Sequence, residues 1–269
     1  MNIIDDLKNL RMNCVCDRYL RKTRCSYGEW EVTDNEIICH INQEKLDEQF
    51  NNTFNYYLFL NGILDINEKH ENYSLNKPFY YIFEDITFDK PVKLRCDNGS
   101  IIFRNCVFNK GISFDDCYSI TFENNIYDNV RDRKIDDTAY IVGKAKNVQF
   151  IDENFFAIDC DDDKNFKFFV QADNMVIDHT YFDSPLMNVN LKSDYMKIKN
   201  CNIKTADVSL KANRFSGVNT TIYGTGTINL DFAKYSWWNF GFDAHIIKCN
   251  GQSYVGEIQN SVKVKKLGS

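Results

Sequence analysis

Residues 101–127, IIFRNCVFNKGISFDDCYSITFENNIY, state one short phrase twice, 19 residues apart. In each copy two apolar residues flank a variable one, Asn follows two places on, and another apolar residue falls three places after the Asn. The copies are Ile101, Phe103, Asn105, Phe108 and Ile120, Phe122, Asn124, Tyr127. Alternation at period 2 turns one side of an extended strand toward a core. Asn tolerates the left-handed backbone of a tight corner. The phrase therefore encodes a strand, a corner and the start of a second strand. Units repeated at this interval stack like above like, at the ~4.8 Å separation of paired strands.

The phrase recurs along the chain. Before the opening stretch it is read at Tyr81, Phe83, Asp85, Phe88, at Tyr57, Phe59, Asn61, Leu64, and in degenerate form at Trp30, Val32, Asp34, Ile37. After it come Val148, Phe150, Asp152, Phe155, then Met175, Ile177, His179, Phe182, and Met196, Ile198, Asn200, Ile203. The extra alternating pairs Val92 with Leu94, Ile112 with Phe114 and Val208 with Leu210 mark a further strand. A leucine-rich repeat would place its Asn three residues after the second strand apolar, not two. A pentapeptide-repeat helix would need an apolar residue at every fifth position, which Lys93 and Asn98 break.

Phrases such as IIFRNCVF and YMKIKNCNI resemble the coils of the right-handed parallel β-helix, or pectin-lyase-like, superfamily, over about residues 30–230. The resemblance implies an all-β solenoid of about eight coils. It identifies an architecture rather than an activity, because one coil type serves many functions. The chain divides as an N-terminal cap at residues 1–29, a parallel β-helix at 30–230 and an irregular C-terminal cap and tail at 231–269. Ile3, Ile4, Leu7 and Leu10 lie at helical spacing, with Asp5 and Asp6 in the first turn, which predicts a short capping helix over residues 2–12. The tail ends on Lys263, Lys265 and Lys266, read as solvated.

Composition narrows the function classes. A net charge of −6 and a pI near 5.3 leave no basic footprint for a phosphate backbone, so nucleic acid is not an expected partner. No apolar run is long enough for a transmembrane helix, and MNIIDDLKNL is acidic where a signal peptide would be basic. A cytoplasmic location is the expectation, with no membrane partner and the ten cysteines mostly reduced. With 12 Gly and 3 Pro against 32 Asn, the corners fall to Asn and Asp.

Residues beyond what a bare coil needs leave at corners, so long coils mark the functional side. Two consecutive coils are long. The first insert, between Tyr127 and Val148, carries Arg131, Arg133, Lys134, Asp136 and Asp137; the second, between Phe155 and Met175, carries Asp159, Asp161, Asp162, Asp163 and Lys164. One reading is a solvated charged face that binds a protein or glycan through Lys134, Asp136 and Asp163, without a cofactor. The resemblance implies another, in which Asp159, Asp161 and Asp162 act with Arg131 and Arg133 in a lyase or hydrolase on an acidic glycan, with Ca²⁺ as an optional cofactor. The chain lacks the Gly-His-Gly, Arg-x-Lys and Arg-x-Pro-x-x-Arg motifs of such enzymes.

Other candidates have plainer readings. Trp237 and Trp238, with Tyr235, Phe240 and Phe242, offer either a sugar-stacking platform or a cover for the core end. His179 stands at a corner position that Asn or Asp fills elsewhere, so a structural role is expected despite its neighbour Asp178. The spacing of Cys14, Cys16, Cys25 and Cys39 with His40 fits no standard zinc pattern, and no metal is expected. Cys106 and Cys201 share one repeat position, and both read as small apolar rungs.

Overall fold

The computed structural model describes residues 28–32, 36–60, 79–97, 99–127, 140–156, 167–250 and 252–258. It is all-β apart from one described helix, and its strands join one long, mostly parallel sheet that does not close. The pairing follows three runs. The first passes from β2 (Ile37–Ile41) to β4 (Phe79–Glu84), β7 (Ser100–Arg104) and the second half of β9 (Ile112–Glu123). It continues through the second halves of β11 (Tyr140–Ile151) and β13 (Lys167–Asp178) into β14 (Tyr181–Lys199) and β15 (Asn202–Cys249). The second run links the short strands β5 (Thr87–Phe88), β8 (Val107–Phe108), β10 (Ile126–Tyr127) and β12 (Asn154–Phe156) to the start of β14. The third runs from β3 (Tyr56–Leu60) to β6 (Val92–Cys96) and on through the first halves of β9, β11 and β13. The chain visits the three in turn and returns one strand higher, as in a β-helix-like solenoid.

The register places the repeat as the sequence implies. Ile101 and Phe103 pair with Ile120 and Phe122, and these with Val148 and Phe150. All six are buried. Like side chains then stack as columns: Phe83, Phe103, Phe122 and Phe150 lie with successive ring centroids 4.7, 5.5 and 5.0 Å apart. A second aromatic column, Phe88, Phe108, Tyr127, Phe155 and Phe182, has spacings of 5.0, 5.4, 4.5 and 4.7 Å. Edge-to-face contacts such as Phe103 with Phe108 knit the two columns together.

Each passage from first to second run turns on a residue with positive φ. Asp85, Asn105, Asn124, Asp152, His179, Asn200, Asn219 and Asn239 all have φ between 47° and 56°. The amide side chains bond along the column, Asn124 Nδ2 donating to Asn105 Oδ1 at 2.8 Å and Asn239 Nδ2 to Asn219 Oδ1 at 3.0 Å. His179 keeps the same backbone and is half exposed, with Nδ1 2.8 Å from Asp178 Oδ1. The structural reading of that histidine fits its place in the corner.

The first two sequence matches are corrected. The segment at Trp30 is not a coil strand: β1 (Gly28–Val32) runs antiparallel to β2, with Trp30 opposite Cys39. At Tyr57 the phase is off by one, since Tyr56, Leu58 and Leu60 are buried while Tyr57 is exposed. The strand is apolar throughout, so alternation gives no phase there. Its register is set by pairing with β6 and by the Tyr56 hydroxyl, which bonds Asp89 at 2.6 Å and Asp47 at 3.1 Å. That strand therefore belongs to the third run.

The described helix, α1 (Gln43–Phe50), was not anticipated. Asn42 caps it, its side chain accepting from Lys45 N, and Leu46 and Phe50 are buried. Gln43 accepts from Thr87 N at 2.7 Å and donates to Thr87 O at 3.2 Å. One side chain thereby mimics a neighbouring strand at the otherwise open edge of β5. The predicted helix over residues 2–12 lies outside the described residues, as do Asp34, Asn61, Leu64 and the lysines of the tail. At the other end the core continues past Leu230 through buried Phe232, Phe240, Phe242 and Ile247. β16 (Gln252–Ile258) pairs antiparallel with the end of β15.

Candidate functional site

Arg131, Arg133, Lys134, Asp136, Asp159, Asp161, Asp162 and Asp163 lie outside the described residues. The strands that flank them are described, and these shorten both inserts. Residues 140–147, counted by the sequence reading as part of the first insert, belong to β11. Ile126 pairs with Asn154 where the two segments depart, and Tyr140 pairs with Lys167 where they return. Both segments therefore leave the second run and rejoin the third on adjacent rungs.

The outer surface of the third run is where they rejoin. Because Val92, Leu94, Ile112 and Phe114 point inward, the alternate residues face out in two lines. One reads Tyr57, Lys93, Ser113, Val142, Phe169, Asn190 and Ser209 in direct register. The other reads Phe59 with Arg95, then Lys144, Gln171, Lys192 and Lys211. Five cations thus share a surface with Asp97, Asp115, Asp116, Asp173, Asp194 and Asp231, and Lys211 is paired with Asp231 at 2.5 Å. Lys144 and Lys192 make no ion pair among the described residues. Arg95 is held by Asp97 at 3.0 Å and Asp116 at 3.6 Å, and Lys93 lies over the Tyr57 ring at 5.5 Å.

A groove of about 560 Å³ crosses these lines, with Phe59, Lys93, Arg95, Lys144, Phe169 and Gln171 among its walls. Its floor dips at Gly143. A Cβ there would sit 2.3 Å from the Phe114 ring, so only Gly lets that ring lie flat beneath the strand. The outcome is a trough with apolar flanks and positive charge, about 4.8 Å per rung along its length.

Just past the corner between the first and second runs sits a buried carboxyl. Glu153 follows the left-handed Asp152 and points inward, in the position held by Cys106, Asn125, Thr180 and Cys201 in other coils. Its Oε1 accepts from Asn125 N at 3.1 Å and from Asn125 Nδ2 at 2.9 Å. Oε2 has no well-formed partner, and neither has the buried Tyr127 hydroxyl. The two groups are neighbours, each acting on the other's ionisation. Burial pushes the Glu153 carboxyl up to about 8.

The remaining candidates divide. Trp237 packs against the core, stacked on Tyr235 at 4.5 Å and set edge-on to Phe242 at 5.6 Å. Trp238 is exposed, so only half of the predicted pair presents a free ring. Cys39, Cys96, Cys106, Cys117 and Cys201 are buried free thiols. Among the described residues no three His, Cys, Asp or Glu side chains are arranged to hold a metal, and no helix is long and apolar enough to cross a membrane. No family model matches the chain, no curated protein matches it, and no solved structure matches its fold.

The sequence reading missed Lys93, Arg95, Lys144 and Phe169 as candidates. A signal was present: each lies in opposite phase to an inward position such as Val92, Leu94 or Phe168. Only the rung-by-rung register, which a sequence interrupted by long segments does not display, shows that they form continuous lines.

Proposed function

We propose that the chain is a right-handed parallel β-helix of the pectin-lyase-like kind, capped at both ends, and that it acts as a non-catalytic scaffold binding an acidic glycan. The observation that carries this reading is the groove in which Lys93, Arg95 and Lys144 outnumber Asp115 beside the rings of Phe59 and Phe169. Aromatic faces suit the C–H faces of sugar rings, and cations spaced along a groove suit carboxylates repeated along a polymer. β11 and β13, which begin at Tyr140 and Lys167 directly after the charged segments 128–139 and 157–166, both contribute walls to this groove.

A cleavage reading has one observation in its favour: both acid-rich and Arg-rich segments leave and rejoin on adjacent rungs. In it Asp159, Asp161 and Asp162 offer oxygen ligands of the kind Ca²⁺ takes, with Arg131 or Arg133 near the reacting sugar. Electrophoresis in a gel containing polygalacturonate, paired with a turnover assay with and without Ca²⁺, separates the two. The scaffold reading expects retardation that Lys144→Glu relieves, and no turnover. Turnover abolished by Asp161→Ala overturns it in favour of the enzyme, and migration indifferent to the polymer overturns the glycan.

A further inference from the structure

Glu153 joins neighbouring rungs through one partner, Asn125. Asn125 N and Nδ2 donate to Glu153 Oε1 at 3.1 and 2.9 Å, Asn125 Nδ2 also donates to Phe103 O at 3.0 Å, and Asn125 Oδ1 accepts from Cys106 N at 2.8 Å. The link thus runs through three successive coils, and all four residues are buried. We propose that Glu153 is a pH-sensitive latch on the second run: neutral, it holds β10 and β12 closed, and its ionisation opens those two short strands while the first-run strands of the same coils stay paired.

The surroundings offer the ionised form no counter-charge. Among the described residues no Lys, Arg or His pairs with Glu153. The titrating groups that act on it or feel it are the Tyr127 phenol from β10, the Asp152 carboxyl from its own corner and the Cys106 thiol two coils down. None of the three is a cation. Thr180, at the same position of the following coil, does not titrate. The two bonds from Asn125 favour a carboxylate, but burial outweighs them. A buried charge without a partner is costly, and water reaching it is the available relief.

The second run is where opening costs least. β10 has two residues and β12 three, and they meet through one pair, Ile126 with Asn154. In the first run the same coils are joined along Ser119–Glu123 and Asn147–Ile151. Local opening takes the segment with the fewest backbone bonds to lose. The charged segments 128–139 and 157–166 follow directly on β10 and β12, so ionisation loosens the strands that lead into both.

Amide exchange of the full chain tests the latch, followed residue by residue by NMR at pH 6, 7.5 and 9 and corrected for the intrinsic rise of exchange with pH. Because the carboxyl is raised from 4.5 to about 8 in the fold, closure is strongest in acid and is lost as pH rises through 8. The reporters are Asn125, Ile126 and Tyr181, whose N–H groups bond Glu153 Oε1, Cys106 O and Glu153 O. Their protection is expected to fall by about tenfold per pH unit between 6 and 7.5 and to level off by 9. In Glu153→Gln, which keeps the Oε1 acceptor, it is expected to stay within about twofold across the range. Low concentrations of urea separate local from global opening: the three reporters are expected to respond weakly, and first-run amides such as Phe122 and Phe150 strongly. Protection in wild type that does not change with pH, the same fall in Glu153→Gln, or reporters that match Phe122 and Phe150 in protection and urea response would overturn the proposal.

Discussion

Glu153→Gln should stabilise the protein at neutral and alkaline pH and do almost nothing near pH 4. In the fold the carboxyl is pushed from its ordinary 4.5 up to about 8 by burial. Because the folded value is raised, its contribution is fully present below pH 4.5 and is lost as pH rises toward 8. Each tenfold change in proton affinity is worth ~1.4 kcal/mol. The loss relative to acid is therefore on the order of 3 kcal/mol at pH 7 and approaches about 5 kcal/mol above pH 8. Gln keeps the Oε1 acceptor for Asn125 N and Nδ2 and carries no titrating proton. Urea unfolding followed by far-ultraviolet circular dichroism, at several pH values from 4 to 8.5, reads the difference between the two proteins. Other titrating groups are common to both and cancel. The curves should converge near pH 4 and separate steadily above it. Parallel curves, or a Gln variant weaker at every pH, would refute the claim that this carboxyl is buried neutral.

Three further outcomes follow from the coils. Asn124→Ala should lose about 2 kcal/mol in urea unfolding, because φ is 54° there and the 2.8 Å bond to Asn105 goes; Asn124→Gly should recover the conformational half but not the bond. Gly143→Ala should lose about 1–3 kcal/mol and shift the Phe114 ring signals in an aromatic NMR spectrum, since its Cβ would lie 2.3 Å from that ring. Alkylation of the native protein at pH 8, mapped by peptide mass spectrometry, should spare Cys106 and Cys201, whose thiols burial pushes up to about 12; both should react after unfolding in urea.

The repeat was legible in the sequence where polar and apolar residues alternate, as at IIFRN and ITFEN. Each Asn or Asp at the corner marked a left-handed residue, from Asp85 to Asn200. It was misread where alternation vanishes: YYLFL has no polar residue to give phase, and only the Tyr56 hydroxyl and pairing with β6 decide it. The helix at Gln43 was invisible because its docking depends on a side chain bonding the backbone of Thr87, 44 residues away. The groove escaped for a related reason. Lys93 and Lys144 lie 51 residues apart in the chain and join one surface only through the register from β6 through β9 to β11.

Hydrogen–deuterium exchange of the full chain with and without polygalacturonate, analysed by peptide mass spectrometry, tests the binding surface most directly. Slowed exchange is expected in peptides spanning β6, the first half of β11 and the first half of β13, which carry Lys93, Lys144 and Phe169. Protection confined to the first-run strands, such as β4 and β7, or no protection at a saturating polymer concentration, would contradict it.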